Sequence, residues 1–194
     1  MRIGIDIDNT LTEIEEELME KAESYARQLG KTINVNRECM IDTTNDGNIY
    51  QKMFGFNEEE LKHFLGPIQE SITSKAIPRE NAVEILNQLH LDGHSIYIIT
   101  ARDSQFHKNP YEQSKEWLKE HHIYFDQLIV NARNKGKVCS EYEIDLLIDD
   151  NARNCIEADQ YGIDTILFGN KKYGHLKHYE TWIEIYEYIK KLEI

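Results

Sequence analysis

Hydrophobic positions along this chain follow two spacings, one typical of β-strands and one typical of α-helices. Short apolar runs bounded by polar residues predict five strands, over 2–8, 95–99, 127–130, 145–148 and 164–168. Apolar residues three or four positions apart predict helices between them, the clearest over 14–29, 82–89 and 182–192. Strands that alternate with helices favour a parallel sheet covered on both faces, so we predict a three-layer α/β fold.

The first two predicted strands lie too far apart in sequence to be joined by one simple crossover helix. The intervening stretch has helical patterns of its own and turn signals such as Asn45-Asp46-Gly47. We therefore predict two parts. The core is formed by 1–12 and 79–194, and a small helical cap, 13–78, is inserted after the first strand.

Charge and cysteine content narrow the class of protein. The chain has 35 acidic and 22 basic residues and a formal net charge of -13, which argues against binding to a nucleic-acid polymer. Cys39, Cys139 and Cys155 are widely spaced and form no C-x-x-C pair, which fits a reducing compartment. No signal peptide precedes the first strand, and no apolar run reaches the roughly 18 residues of a membrane span. We expect a cytoplasmic protein without a membrane partner, and a homodimer is kept as an alternative to a monomer.

Polar side chains end three of the predicted strands. Asp6 and Asp8 close the first strand, Thr100 follows the second, and Asp149-Asp150 end the fourth. Because ligands in open α/β sheets bind outside the carboxyl ends of the strands, these residues should meet in one crevice. Clustered carboxylates repel each other and raise each other's pKa, which a divalent cation relieves.

Carboxylates without matching His or Cys suggest a hard, oxygen-preferring ion, and Mg²⁺ is the usual one where phosphate is handled. A lysine could add a fixed positive charge beside a bound phosphate. Lys135 and Lys137 compete for this role, and we favour Lys137.

The chain resembles the haloacid-dehalogenase superfamily of phosphohydrolases, motif by motif and in the same order. Asp6-Ile7-Asp8-Asn9-Thr10 is similar to the first motif, D-x-D-x-[TV], and Thr100 fits the second. Lys137 fits the third motif and Asp149-Asp150 the acidic fourth. The resemblance implies a Rossmann-like core with an inserted cap, and a magnesium-dependent phosphatase.

The same resemblance implies roles for the residues. Asp6 would be the nucleophile that forms an aspartyl phosphate, and Asp8 the general acid and base. Thr100 and Lys137 would bind phosphate oxygens, and Asp150 would reach the metal through water or orient Lys137. The implied ligands of Mg²⁺ are the Asp6 carboxylate, the Asp8 main-chain carbonyl and Asp149.

A narrower resemblance concerns the substrate. The stretch 145–150, DLLIDD, and the helix that begins at Pro110-Tyr111 look like parts of the 5'(3')-deoxyribonucleotidases, although Asn9-Thr10 departs from their usual residues. This implies hydrolysis of a 5'- or 3'-(deoxy)nucleoside monophosphate. One alternative is a phosphatase of a sugar phosphate or another small metabolite. Another is a non-enzymatic, phospho-accepting regulatory domain.

Two further groups of residues have two interpretations each. Aromatic residues of the cap could stack on a base or form the cap's own core, and we slightly favour the core; they are Tyr50, Phe54, Phe56 and Phe64. Arg102, Arg133 and Arg153 follow strand ends and could contact substrate, with surface salt bridges at least as well supported.

Overall fold

One parallel β-sheet forms the centre of the protein. The computed structural model describes residues 1–33, 48–170 and 172–192. Within these ranges the strands are β1 (Arg2–Ile5), β2 (Ser95–Ile99), β3 (Gln127–Ile129), β4 (Leu146–Asp149), β5 (Asp164–Phe168) and β6 (His178–Tyr179). They form one sheet in the order β3-β2-β1-β4-β5-β6, and every neighbouring pair is parallel. The five predicted strands are confirmed, whereas β6 has only two residues and therefore no periodicity to detect.

Helices cover both faces of this sheet. The helices are α1 (Glu15–Gln28), α2 (Ile49–Phe54), α3 (Glu58–His63), α4 (Gln69–Thr73), α5 (Ala82–Leu91), α6 (Pro110–Glu120), α7 (Lys135–Glu141), α8 (Ala152–Asp159) and α9 (Trp182–Leu192). On one face, α5, α6 and α9 bury Leu86, Trp117 and Ile185 against the sheet. On the other, α7 and α8 bury Cys139 and Ala158 against it. The predicted three-layer α/β fold is confirmed.

The helices between β1 and β2 have a hydrophobic cluster of their own. A π-helical turn, Phe64–Ile68, joins α3 to α4 and contains Pro67. The cluster is built from α1, α2, α3, this turn and α4, and it includes Leu18, Phe54 and Phe64. It lies apart from the clusters that cover the sheet.

Both ends of this helical segment are fixed at one place on the core. Thr12 forms an antiparallel bridge with Pro78. The Arg79 amide donates a 2.7 Å hydrogen bond to the Leu11 carbonyl oxygen. The Trp117 indole of α6 also donates to the Ala76 carbonyl oxygen, at 2.7 Å. The chain thus leaves the core and returns to it at neighbouring positions. None of the described helices combines the length and the apolar character that crossing a membrane needs.

The packing of α7 on α8 depends on a residue without a side chain. A Cβ atom at Gly136 would lie 2.4 Å from the Glu157 main-chain oxygen.

We expect Gly136→Ala to lower the free energy of unfolding by at least about 1–3 kcal/mol, because the helices must move apart. Urea denaturation measures this. Ser140→Ala, at an exposed position of the same helix, is the control and should change stability by less than about 0.5 kcal/mol. Equal stabilities of the two variants would contradict this packing.

Candidate active site

Two buried carboxylates lie side by side at the carboxyl edge of the sheet. Asp6 directly follows β1, and Asp149 is the last residue of the neighbouring strand β4. The Asp6 amide donates a 3.1 Å hydrogen bond to the Ile148 carbonyl oxygen, which extends the pairing of the two strands. Asp6 is 6% exposed and Asp149 is fully buried. Strand pairing alone therefore places these two side chains next to each other.

Lys135 bridges the two carboxylates. Its Nζ atom lies 2.5 Å from Asp6 Oδ1 and 2.5 Å from Asp149 Oδ2, and its side chain is 1% exposed. Burial lowers the pKa of the ammonium, but the charges of Asp149 and Asp6 outweigh burial and hold the pKa above its ordinary value. Lys135 is therefore a fixed positive charge beneath the carboxylates.

The prediction that Lys137 is the lysine of this site is wrong in its placement. The Lys137 side chain is 65% exposed and lies 3.7 Å from Glu141 Oε1, on the outer face of α7. Two residues are about 200° apart around an α-helix, so only one of Lys135 and Lys137 can face the sheet. Asn134 caps α7 by accepting from the Lys137 amide, which directs Lys135 inward.

Burial dominates the titration of Asp6. It raises the pKa of Asp6 to about 7, from an ordinary value of 3.8. Lys135 opposes this shift, whereas the charges of Asp149 and Asp8 add to it. At neutral pH Asp6 is thus poised between its two protonation states, and added positive charge would favour the ionised one.

Asp149 and Asp150 have different surroundings. The Asn151 amide and the Asn154 side-chain amide, each at 2.9 Å, donate to Asp149 Oδ1, which fixes the orientation of that carboxylate. Asp150 instead lies against Thr10. Its amide donates to Thr10 Oγ1 at 3.0 Å, and that hydroxyl lies 3.3 Å from Asp150 Oδ1. The structure therefore does not bring Asp150 to Lys137, the residue it was predicted to orient.

Thr100 lies at the same edge of the sheet, directly after β2. It is 1% exposed, and its amide donates to the Ile129 carbonyl oxygen at 2.9 Å. Its hydroxyl accepts a hydrogen bond from the Arg102 amide at 3.3 Å. Thr100 lines one cavity together with Asp6, Asp8, Lys135 and Asp150, whereas Asp149, the fifth predicted strand-end residue, is buried and is not among the lining residues.

Asp8 has a buried ionic partner that the sequence analysis did not identify. The Arg102 guanidinium donates to Asp8 Oδ2 at 2.9 Å and to Oδ1 at 2.6 Å. Burial raises the pKa of Asp8, but the charge and hydrogen bonds of Arg102 outweigh it and hold the pKa below its usual range. Of the two earlier interpretations of Arg102, substrate contact and surface salt bridge, neither describes this pair. In the sequence, the only indication that Arg102 belongs to the site is its position two residues after Thr100.

The cavity has a volume of about 630 Å³ and lies between the sheet edge and the helical segment. The segment contributes Tyr50, Leu61 and Leu65, and the loop after β2 contributes Phe106 and His107. Phe54, Phe56 and Phe64 are buried in the segment's own cluster, as favoured above for the aromatic group, whereas Tyr50 is half-buried and lines the cavity.

The donor atoms at this edge suit a hard cation. Asp6 and Asp150 present carboxylates to the cavity. Asp149 is fully buried, and both of its oxygens already accept hydrogen bonds. In the described ranges no group of three or more His, Cys, Asp or Glu side chains is arranged around a metal position. Two carboxylates, the Asp8 main-chain carbonyl oxygen and water form a ligand set that fits Mg²⁺, because Mg²⁺ keeps several of its waters in proteins.

Removal of Lys135 should leave two buried carboxyl groups without the cation that they share. In a buffer with EDTA, we expect Lys135→Met to lower the free energy of unfolding by about 3–5 kcal/mol. Lys137→Met is the matched control on the exposed face of the same helix and should change it by less than about 0.5 kcal/mol.

The stability of the Lys135 variant should also depend on pH. Folding raises the pKa of Asp6 above its ordinary value of 3.8, so its protonated form favours the folded state. We expect stability to fall as pH rises from about 4 towards and beyond 7, most steeply without Lys135. Denaturation at pH 5 and pH 8 tests this, and a Lys135→Met protein that is more stable at pH 8 than at pH 5 would contradict it.

Comparison with known proteins places the chain in a family. The family described as "5' nucleotidase, deoxy (Pyrimidine), cytosolic type C protein" matches residues 1–193. A "Putative nucleotidase" of Bacillus cereus is 28% identical over 155 residues, which cover 77% of this chain and 76% of that protein. A "Putative 5'(3')-deoxyribonucleotidase" of Chlorobaculum tepidum is 31% identical over 138 residues, covering 68% and 64% of the two chains.

A solved structure agrees on the fold. The haloacid dehalogenase-like family hydrolase of Streptococcus pneumoniae superposes with a TM-score of 0.64 at 15% identity, over 97% of each chain. With the family match over nearly the whole length, this confirms the resemblance drawn from the motifs. The chain belongs to the deoxy (pyrimidine), cytosolic type C 5' nucleotidase family of the haloacid-dehalogenase superfamily, and it is a phosphomonoesterase.

Proposed function

We propose that this protein hydrolyses (deoxy)nucleoside monophosphates with Mg²⁺, through an aspartyl phosphate on Asp6. The observation that carries the proposal is the bridge from Lys135 to Asp6 and Asp149, at the base of an open cavity. Lys135 holds Asp6 Oδ1, so Oδ2 would be the attacking atom. Uncatalysed hydrolysis of phosphate monoesters is extremely slow, and enzymes overcome it mostly by positioning and charge neutralisation.

In the first step, Asp6 Oδ2 would form a bond to phosphorus as the bond to the leaving oxygen breaks. Asp8 would give a proton to that oxygen, and the negative charge of the bound phosphate would raise the pKa of Asp8 against the effect of Arg102 so that it carries this proton. In the second step, water would attack phosphorus, Asp8 would take a proton from the water, and phosphate would leave Asp6. The ion pair with Arg102 favours the carboxylate form of Asp8, which is the form that the second step needs.

Lys135 and Thr100 would bind the oxygens of the phosphoryl group, because both line the cavity beside Asp6. Lys135 thus takes the role first given to Lys137. The Asp6 carboxylate, the Asp8 main-chain carbonyl and Asp150 would hold Mg²⁺, which supplies positive charge to the phosphate oxygens when bound. Asp150 takes the ligand position first given to Asp149, because Asp150 lines the cavity. Asp149 is fully buried and accepts hydrogen bonds at both oxygens.

The lining of the cavity supports a nucleotide as the substrate. Tyr50, Phe106, Leu61 and Leu65 give it an aromatic and apolar wall, which suits the flat face of a base. The names of the two relatives and of the family point to the same substrate class. We propose that 13–78 acts as the cap. Its separate hydrophobic cluster and the bridge from Thr12 to Pro78 support this.

The experiment is phosphate release from 5'- and 3'-(deoxy)nucleoside monophosphates and from sugar phosphates, with Mg²⁺ and with EDTA. We expect release that requires Mg²⁺ and favours deoxynucleotides. Release that favours sugar phosphates would keep the chemistry and overturn the substrate. Full activity in EDTA would overturn the role of Mg²⁺.

Three substitutions test the proposed roles of the site residues. We expect Asp6→Asn to lower kcat at least about a thousandfold, since the nucleophile is lost. Lys135→Met should lower it at least about a hundredfold, since a charge that stabilises the transition state is lost. Lys137→Met, on the exposed face of α7, should stay within about twofold of the unmodified protein. Equal losses of kcat in the two lysine variants would contradict the assignment of Lys135 as the phosphate-binding lysine.

A further inference from the structure

Arg79 is the residue at which the chain returns from the helical segment to the core, and its side chain reaches back to the loop after β1. Nε of the guanidinium donates to the Thr12 carbonyl oxygen at 2.9 Å and to the Asn9 carbonyl oxygen at 3.2 Å. Nη2 donates to the same Asn9 oxygen at 3.1 Å. One side chain thus binds both ends of the turn 9–12, which begins directly after Asp8.

Arg79 is itself held in place by the core. Its guanidinium lies over the ring of Phe168, a buried core residue, with 5.0 Å between Cζ and the ring centroid. Its main-chain amide donates to the Leu11 carbonyl oxygen at 2.7 Å. The contact with Glu13 is weaker, since Nη1 lies 3.4 Å from the carboxylate of an exposed side chain. Main-chain carbonyl groups are therefore the chief partners of the Arg79 guanidinium.

The turn 9–12 determines the orientation of the Asp8 carbonyl group. Asn9 has a φ of 66°, in the left-handed region that residues other than glycine rarely adopt. The Asn9 amide donates to Thr12 Oγ1 at 3.2 Å. The Asp8 carbonyl and the Asn9 amide belong to one planar trans peptide unit, so the carbonyl oxygen points away from Thr12. Arg79 stabilises this geometry because it binds the carbonyl oxygens of Asn9 and Thr12.

Arg79 acts on the site from behind the turn. Asp8, Asn9 and Asp150 line the active-site cavity. Asn9 and Asp150 also line a second cavity, of about 290 Å³, together with Arg79. Within the described ranges, Arg79 lines this second cavity and not the first. Its influence on a substrate or metal in the active-site cavity must therefore pass through the turn 9–12.

We propose that Arg79 is a positioning residue of the active site, which fixes the turn 9–12 so that the Asp8 carbonyl oxygen can bind Mg²⁺. This inference rests on the proposed function, in which that oxygen is a metal ligand. Groups that hold metal ligands in place typically change metal affinity or activity by about tenfold to a hundredfold when they are removed. Because Arg79 directly follows the helical segment, the same contacts connect the metal site to the junction of this segment with the core.

The test measures the affinity for the metal alone and, separately, kcat. Mn²⁺ prefers the same oxygen ligands as Mg²⁺, and electron paramagnetic resonance follows its binding without nucleotide. We expect Arg79→Met to weaken Mn²⁺ binding about tenfold or more, and to lower kcat at saturating Mg²⁺ by about tenfold to a hundredfold. Glu13→Gln removes only the exposed ionic partner of Arg79. This control should stay within about twofold of the unmodified protein in both measurements.

A conservative variant separates geometry from charge. Arg79→Lys keeps the positive charge but lacks the planar fork that reaches both carbonyl oxygens. We expect its Mn²⁺ affinity to lie between those of Arg79→Met and the unmodified protein, at least about threefold weaker than the latter. Full affinity in Arg79→Lys would overturn the positioning role, because charge alone would then suffice.

A substitution within the turn keeps the inference testable if the Arg79 variants fold poorly. Thr12→Val retains the shape of a buried side chain and removes the oxygen that accepts from the Asn9 amide. We expect it to weaken Mn²⁺ binding about tenfold, since the peptide unit of Asp8 and Asn9 is released. The double variant with Arg79→Met should bind no more than about twofold worse than the worse single variant, because both changes act through one turn.

The outcomes separate this inference from the proposed function. A folded Arg79→Met protein that binds Mn²⁺ as tightly as the unmodified protein would overturn the positioning role and leave Arg79 as a stabilising contact. Unchanged Mn²⁺ affinity in Thr12→Val, or losses that multiply in the double variant, would also overturn it. The proposed function fails on a different result, which is that the unmodified protein releases no phosphate from any nucleoside monophosphate with Mg²⁺.

Discussion

The ion bridge from Lys135 to Asp6 and Asp149 is the constraint on which the rest of the site depends. Three charged groups with side chains at most 8% exposed are stable together only because they compensate each other at 2.5 Å. The bridge requires β1 beside β4, which the sheet order provides. It also requires α7 in its place beside α8, and Gly136 allows the close contact between these two helices. The same contacts that hold the core together thus place the charges of the site.

Local charge explains how so acidic a protein can take a phosphate ester. The chain carries a formal net charge of -13, yet Lys135 and Arg102 place two buried cations among Asp6, Asp8 and Asp149. With Asp150, which lines the same cavity, four carboxylates stand against these two cations. A divalent cation would cancel the remaining difference of two charges, which lowers the repulsion of an anionic substrate. The remaining acidic residues of the protein act at longer range and are screened by salt.

The sheet and the carboxylates could be predicted from sequence because both follow from local patterns. Apolar runs identified five strands, and Asp6, Thr100 and Asp149 stand where those strands end. The choice of Lys135 over Lys137 needed the rotation of α7 about its axis, which its short, weakly apolar sequence does not define. The ion pair of Asp8 and Arg102 joins residues that follow different strands, and no spacing in the sequence predicts it.

In the proposed reaction, Asp6 takes the phosphoryl group. The most direct measurement is rapid acid quenching of the protein during turnover of its preferred nucleotide with Mg²⁺, followed by peptide mapping by mass spectrometry. We expect one added phosphoryl group on the peptide that contains Asp6, in larger amount when Asp8→Asn slows the second step. Turnover with no phosphorylated peptide in either protein, or with the phosphoryl group on another residue, would contradict it.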